Sequence, residues 1–234
     1  MSRHVEQLVN QQVLRWLQDQ ERRKSNRPPP SHIGLVQQPM ITISRQFGAC
    51  GGEIGRVVAE NSGLGFYSQE LVHEVAKRAD VRKQVVEALD ERVQTGFGAF
   101  IDDMMRLRSF TQDDYIRGLS QAIVALARHR SGVIVGRGGH LILDPQHTLR
   151  IRAYAPLDYR VRYIAERDRM DESSARAKVL RVDEERRTFF EKNFQSDITS
   201  PYHFDMMLNT SLMSVSECAS TVSHMFNKRF AGRL

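Results

Sequence analysis

The sequence predicts an α/β protein, a three-layer fold in which helices cover a parallel, doubly wound sheet. Three observations carry that expectation. A short β-branched run, Met40-Ile41-Thr42-Ile43-Ser44, passes through a glycine-rich turn directly into helical spacing. Apolar runs of strand length return at 132–136 and 149–155, beside long helical stretches. Strands separated by helices imply parallel pairing, with ligands bound at the carboxyl ends of the strands.

Residues 1–38 stand apart from this pattern. Val5, Leu8, Val9, Val13, Leu14, Trp16 and Leu17 recur near helical spacing, and Arg22, Arg23 and Lys24 follow where a helix dipole favours cations. Pro28, Pro29 and Pro30 then stop any helix and form a stiff linker. The segment reads as an amphipathic appendage that packs on the domain or on another copy, giving a homo-oligomer. Its short apolar face and Gln-rich polar face argue against a membrane-surface helix.

The main domain is expected over 39–234. After the strand at 40–44 and the turn at 45–52, a helix runs from Glu53 to Glu60 and ends at Asn61-Ser62-Gly63. Leu64-Gly65-Phe66-Tyr67 suits a second short strand. Residues 68–130 read as mainly helical, with Leu71, Val72, Val75 and Ala76 on one face and Val85, Val86 and Leu89 on another. A break is expected at 95–98. Thr111-Gln112-Asp113-Asp114 resembles a helix cap ahead of Tyr115, Leu119, Ile123 and Leu126. Further helices are expected from Pro156 through Met170 and from Glu172 to Phe194. A last strand at 204–209 and a closing helix at 215–230 complete the chain.

Composition narrows the function. The chain has 234 residues, 41% hydrophobic and 26% charged, enough to bury a core of ordinary soluble character. It has no apolar run of membrane-spanning length and no apolar signal-peptide core. Cys50 and Cys218 make no disulfide framework. These features predict a cytoplasmic protein with no membrane partner. A net charge of +6 asks for an anionic partner, and arginine interleaved with Asp and Glu suits phosphate recognition. No zinc finger, recognition helix or basic–aromatic stripe is present, so no nucleic-acid partner is expected. The eight histidines show no metal-ligand spacing.

Three segments carry chemistry. In Ser44-Arg45-Gln46-Phe47-Gly48-Ala49-Cys50-Gly51-Gly52-Glu53, glycines between a strand and a helix let backbone N–H groups turn toward an anion. A tight packed turn without ligand is the plainer alternative. In Val135-Gly136-Arg137-Gly138-Gly139, an arginine among glycines at a strand's end can grip a phosphate bidentately or pair with a carboxylate. The charged stretch 176–187 reads either as a solvated helix face laced with ion pairs or as a lid whose arginines close over phosphates. Cys50 in the loop reads as a small space-filler or as a thiol of lowered pKa. His140, beside the arginine turn, reads as a surface or supporting residue.

Together these segments resemble the cytidylate kinase-like family of P-loop nucleoside-monophosphate kinases. The carrying blocks are Ile41-Thr42-Ile43-Ser44-Arg45-Gln46-Phe47-Gly48, Gly51, Glu53-Ile54-Gly55 and Val133-Ile134-Val135-Gly136-Arg137-Gly138. Tyr154-Ala155-Pro156-Leu157, Val182-Asp183 with Arg186, and Leu208-Asn209-Thr210-Ser211 follow in order. The resemblance covers roughly 39–230. It implies a P-loop NTPase fold with a helical acceptor region and a helical lid. It implies transfer of the ATP γ-phosphoryl group to a nucleotide such as CMP or dCMP, with Mg²⁺ between the phosphates. On this likeness Gly48, Ala49, Cys50, Gly51, Gly52 and Glu53 wrap the ATP phosphates, with Arg45 and Arg160 also on the phosphate side. Arg137, Asp183 and Arg186 take the catalytic positions.

The chain also departs from the pattern. Gly51 stands where a monophosphate kinase carries its loop lysine, and Gly52 stands where the cytidylate kinase-like pattern often has arginine. Cys50 replaces a glycine, Gly138 an aspartate and Ser68 an acidic residue. Arg45 and Arg56 are the nearby cations available to replace the lysine. The alternative is a catalytically degenerate nucleotide-binding regulatory protein.

Overall fold

A computed structural model describes residues 37–78, 82, 83, 86, 97–111 and 113–232. The expectations for the amphipathic segment and proline linker, for Val85 and Leu89, and for Gln112 lie outside the described residues. In chain order the elements are β1 (Met40–Arg45), α1 (Gly51–Ser62), β2 (Gly65–Tyr67), α2 (Gln69–Lys77), α3 (Phe97–Leu107) and α4 (Asp114–His129). They continue with β3 (Gly132–Val135), α5 (Gly139–Ile142), β4 (Thr148–Tyr154), α6 (Leu157–Asp168), α7 (Glu172–Phe194), β5 (Met206–Asn209) and α8 (Val215–Arg229).

The five strands pair in the order β2-β3-β1-β4-β5, every pairing parallel. Central β1 starts in register with both neighbours, Met40 opposite Gly132 and Thr148. Its side chains alternate between two cores. Ile41 and Ile43 join Ile54, Val58, Leu149, Ile151 and Phe226 beneath α1 and α8. Met40 joins Leu71, Val72, Ile123 and Ile134 beneath α2, α3 and α4. A sheet covered on both faces needs apolar residues on both, which is why β1 reads as a continuous apolar run.

Helix ends follow local chemistry. Gly63 closes α1 at a φ of 62°, Asp113 caps α4 by accepting from the Tyr115 N–H, and Ser214 with Glu217 forms a capping box on α8. The expected break at 95–98 gives way at its end, because Phe97 and Gly98 already belong to α3 and Phe97 is buried in the core. The short helix α5 and the 3₁₀ turns at Pro145–His147 and Pro201–His203 had no sequence expectation. Among the described residues no helix is long and apolar enough to cross a membrane.

Candidate functional site

The carboxyl ends of β1 and β3 meet at the two glycine-rich turns. From β1 the chain turns through Gly48 (φ 83°) and Cys50 (φ 51°) into the N-terminus of α1. Within the turn the Ala49 N–H donates to the Gln46 carbonyl at 3.3 Å, and the first N–H groups of α1 stand at the positive end of the helix dipole. A side chain at Gly48 would press on Arg160, whereas Gly52 has open space above it. Ala49 and Cys50 point inward and are buried. The Tyr163 hydroxyl donates to Glu53 at 3.0 Å.

The loop is held from below by an ion pair. Arg160 donates through Nε to the Ala155 carbonyl at 2.9 Å and through Nη1 to the Phe47 carbonyl at 3.1 Å. The same Nη1 meets Asp183 of α7 at 2.5 Å. The other carboxylate oxygen of Asp183 accepts from the Phe47 N–H at 2.8 Å. Both peptide groups of Phe47 are thus gripped by one Arg–Asp pair. The Phe47 ring lies under the guanidinium groups of Arg167 and Arg186, 5.4 and 5.6 Å from its centroid.

Above the loop the charge is less balanced. Arg45, the last residue of β1, lays its stem where a side chain at Gly51 would stand; a Cβ there would meet the Arg45 Cβ at 2.6 Å. Its guanidinium crowds Gly136 and donates to Gln69. Burial pushes the Arg45 pKa down to about 9, and the Arg186 and Arg137 charges push it further in that direction. Arg186 donates to the Arg45 carbonyl at 2.9 Å, and burial lowers its pKa too. Arg137 sits at a φ of 53° between Gly136 and Gly138, and its Nε is buried without a hydrogen-bond partner. Three guanidinium groups converge here with one buried donor unspent, a concentration of positive charge that favours an anion on electrostatic grounds.

Two clefts open on either side of Arg45. One, of about 320 Å³, is lined by Arg45, Arg137 and Arg186 with Phe189, Phe190 and Ile198 as its apolar wall. The other, of about 300 Å³, is lined by Arg45, Gly52, Glu53, Arg56, Gln69 and Glu70. Arg45, Gly52, Glu53, Arg137 and Arg186 therefore face the clefts. Gly48 and Gly51 shape the turn, while Arg160 and Asp183 support it from within. Arg56, the other candidate cation, is exposed on α1 and pairs with Glu60 at 3.0 Å.

Helix α7 has the ion-paired solvated face that its charge pattern predicts, and a second face turned toward the two glycine turns. Its outer face carries ion pairs such as Arg181 with Glu185 and Arg187 with Glu184 and Glu191. Its inner face sends Asp183, Arg186, Phe190 and Phe194 onto the two turns. The Phe194 ring explains Gly138: a Cβ there would meet it at 2.5 Å, and the φ of 72° suits glycine. Ser68 caps α2 by accepting from the Leu71 N–H at 3.2 Å.

The space-filling reading of Cys50 holds, and the surface reading of His140 changes. Burial raises the Cys50 pKa, only partly offset by a hydrogen bond from Tyr163, so the thiol is protonated packing and not a thiolate. His140 is not a surface residue: it is buried between Phe190 and Phe204, and burial drives its pKa down to about 3. Arg152 and Gln69 were missed. Arg152 is buried in β4, donates to Ser44 Oγ at 3.1 Å and lies over Phe204. A charge in the middle of a strand buried on both faces was the signal for it. Gln69 left none.

Residues 40–212 match the cytidylate kinase-like family. The chain belongs to that family. Two curated relatives are cytidylate kinases: one from Ignicoccus hospitalis, 27% identical over 107 residues, and one from Sulfolobus acidocaldarius, 24% identical over 130 residues. The matches cover 46% and 54% of this chain, and 62% and 71% of those two proteins. An uncharacterized protein from Eubacterium ventriosum has a similar solved structure. Its TM-score is 0.57 at 21% identity, covering 81% of this chain and 99% of that one, and it supports the fold alone. The cytidylate kinase-like match ends at residue 212, so it includes both glycine turns, Arg160 and the whole of α7.

Proposed function

We propose that this chain is a cytoplasmic nucleotide kinase that moves the ATP γ-phosphoryl group to a nucleoside monophosphate, with CMP or dCMP as the leading acceptors. The observation that carries the reading is the Arg45–Arg137–Arg186 cluster over a glycine turn at a helix N-terminus. Phosphoryl transfer needs little covalent help from a protein; positioning and charge stabilisation do most of the work.

In this reading the N–H groups of 51–53, at the start of α1, cradle the ATP phosphates, and Arg45 supplies the charge that the loop lysine gives elsewhere. The support is steric: the Arg45 stem fills the space above Gly51. Arg137, with its unspent Nε, takes the acceptor phosphate, and Arg186 neutralises charge on the group in transfer. Asp183 and Arg160 act one step removed, holding Phe47 and so the loop. The smaller clefts suit a nucleotide, since ligand pockets start at about 300 Å³. Mg²⁺ needs only one or two carboxylates besides phosphate oxygens, and Glu53 and Glu70 line the outer cleft. Bound there, Mg²⁺ would supply charge neutralisation between the phosphates.

A coupled assay of the purified chain with ATP, Mg²⁺ and CMP, dCMP, UMP or AMP tests the reading. Turnover highest with CMP or dCMP supports it. Calorimetric binding of ATP with no transfer to any acceptor would select the second reading, a degenerate nucleotide-binding regulator, which the lysine-free loop favours.

A further inference from the structure

Far from the arginine cluster, a groove of about 560 Å³ opens between α3, α4 and α5. Its walls include Phe100, Met104, Leu107, Val124 and Ile142. Leu107 is 86% exposed and Phe100 39%, an unusual outlay of large apolar surface beside a core. Arg128 reaches into the same groove with its guanidinium 4.7 Å from the Phe100 centroid, and its Nη1 is buried without a hydrogen-bond partner. Such a donor wants an acceptor that the described residues do not provide.

The chain itself arrives at this groove. Gln37 lines it and is pinned there, donating to the His147 carbonyl and to Thr148 Oγ1 at 3.3 and 3.0 Å and accepting from the Asp144 N–H at 3.0 Å. Upstream lies the stretch whose apolar residues Val5, Leu8, Val9, Val13, Trp16 and Leu17 recur at helical spacing.

We infer that residues 5–17 dock in cis, as an amphipathic helix, into the groove between α3, α4 and α5 of the same chain. Such a helix is about 20 Å long. The connecting residues 18–36 reach at most about 65 Å when extended. A tether of that length, stiffened by Pro28, Pro29 and Pro30, holds the segment near the groove at an effective concentration on the order of millimolar. A second copy at micromolar concentration does not compete with that. The segment also carries what Arg128 lacks, a carboxylate at Glu6 and amide oxygens at Gln7, Gln11 and Gln12. Docked there, it would lean on α5, the element that begins directly after the Arg137 turn.

The chain contains one tryptophan, Trp16, so its fluorescence reports this segment alone. In the full-length protein its emission is expected to be blue-shifted and shielded from iodide, unchanged over a hundred-fold range of protein concentration. Leu107→Asp, at an exposed position outside the phosphate site, should red-shift it and restore quenching while leaving the melting temperature in place. Emission typical of free tryptophan in the unaltered chain would overturn the inference. So would a blue shift that grows with protein concentration, one that appears only with anionic phospholipid vesicles, or one indifferent to Leu107→Asp. Because the readout is not activity, a chain inactive as a kinase leaves the test intact.

Discussion

Arg160 and Arg137 serve the same turn in opposite ways. Arg160 is buried, and its donors are spent on the Ala155 carbonyl, the Phe47 carbonyl and Asp183. Arg137 stands beside Arg45 and Arg186 and leaves a buried Nε unspent. A satisfied arginine is a structural part, because its charge is already neutralised and its removal leaves orphaned partners. An unsatisfied one, set among like charges, is held at a cost that an incoming anion relieves. The fold keeps its satisfied pair under the loop and its unsatisfied cluster above it.

The comparison breaks most decisively at Arg137. Arg137→Ala should lower kcat/KM by about 10²–10³-fold, the range for removing a donor aimed at developing charge. The melting temperature should hold or rise, since a like charge has left the neighbourhood of Arg45. Arg137→Lys restores charge without the planar fork, so its rescue should be partial. Steady-state kinetics with parallel thermal melts separates these outcomes; a destabilised Arg137→Ala protein would move Arg137 into the structural class.

Asp183→Asn should do the reverse. It keeps an acceptor for the Phe47 N–H but leaves the Arg160 guanidinium without its counter-charge. Removing one partner of a buried pair costs about 3–5 kcal/mol, and the 27% exposure of Asp183 favours the lower end. Urea unfolding measures it, and about 3 kcal/mol would lower the melting point by about 6–12 °C. Undiminished stability with lost turnover would instead make Asp183 a group that touches substrate.

A finer probe is pH. The Arg45 pKa lies near 9, below the ordinary arginine value, because of burial first and the Arg186 charge second. A base whose folded pKa is depressed binds fewer protons folded than unfolded above that pH, so the empty chain gains stability as pH rises from about 9. ATP affinity should move the other way. It should be flat up to about pH 8, then fall by up to about tenfold per unit above 9 as the cation is lost. Arg186→Ala should shift the break to higher pH. Calorimetric titrations between pH 7 and 10.5 decide it; affinity flat across that span would mean that Arg45 keeps its proton throughout, and ATP binding undiminished by Arg45→Gln would remove Arg45 from the phosphate site.

Much of this was legible before the structure. Strand and helix order were written in period and punctuation: a β-branched run at 40–44, Gly63 at a helix end, Pro156 ahead of α6. The two glycine turns were legible because glycine clusters after strands mark a chain reversal at the sheet's carboxyl edge. What stayed hidden depends on contacts between distant segments. Nothing local says that Asp183 reaches Phe47 across 136 positions, or that the Arg45 stem lies over Gly51. The same holds for α5, only four residues long and set by packing. His140 was misread because a polar residue beside a glycine turn looks solvent-facing, whereas the aromatic walls that bury it come from α7 and from Phe204, two residues before β5.

The smallest effect tests the division within α7 itself. Arg187 pairs with both Glu184 and Glu191 on the outer face, and all three side chains are about half exposed. Exposed pairs gain little, since water and salt screen the attraction and two long side chains must be ordered to make it. Arg187→Ala should therefore leave both unfolding free energy and turnover unchanged within error. Three residues along, Phe190 packs against His140 and Phe194 and is 5% exposed. Phe190→Ala should cost about 3–5 kcal/mol, the range for emptying an aromatic from a core. Paired urea titrations read both. Were Arg187→Ala to destabilise the chain as much as Phe190→Ala, the charged face of α7 would be part of the architecture, and the separation of its two faces would fail.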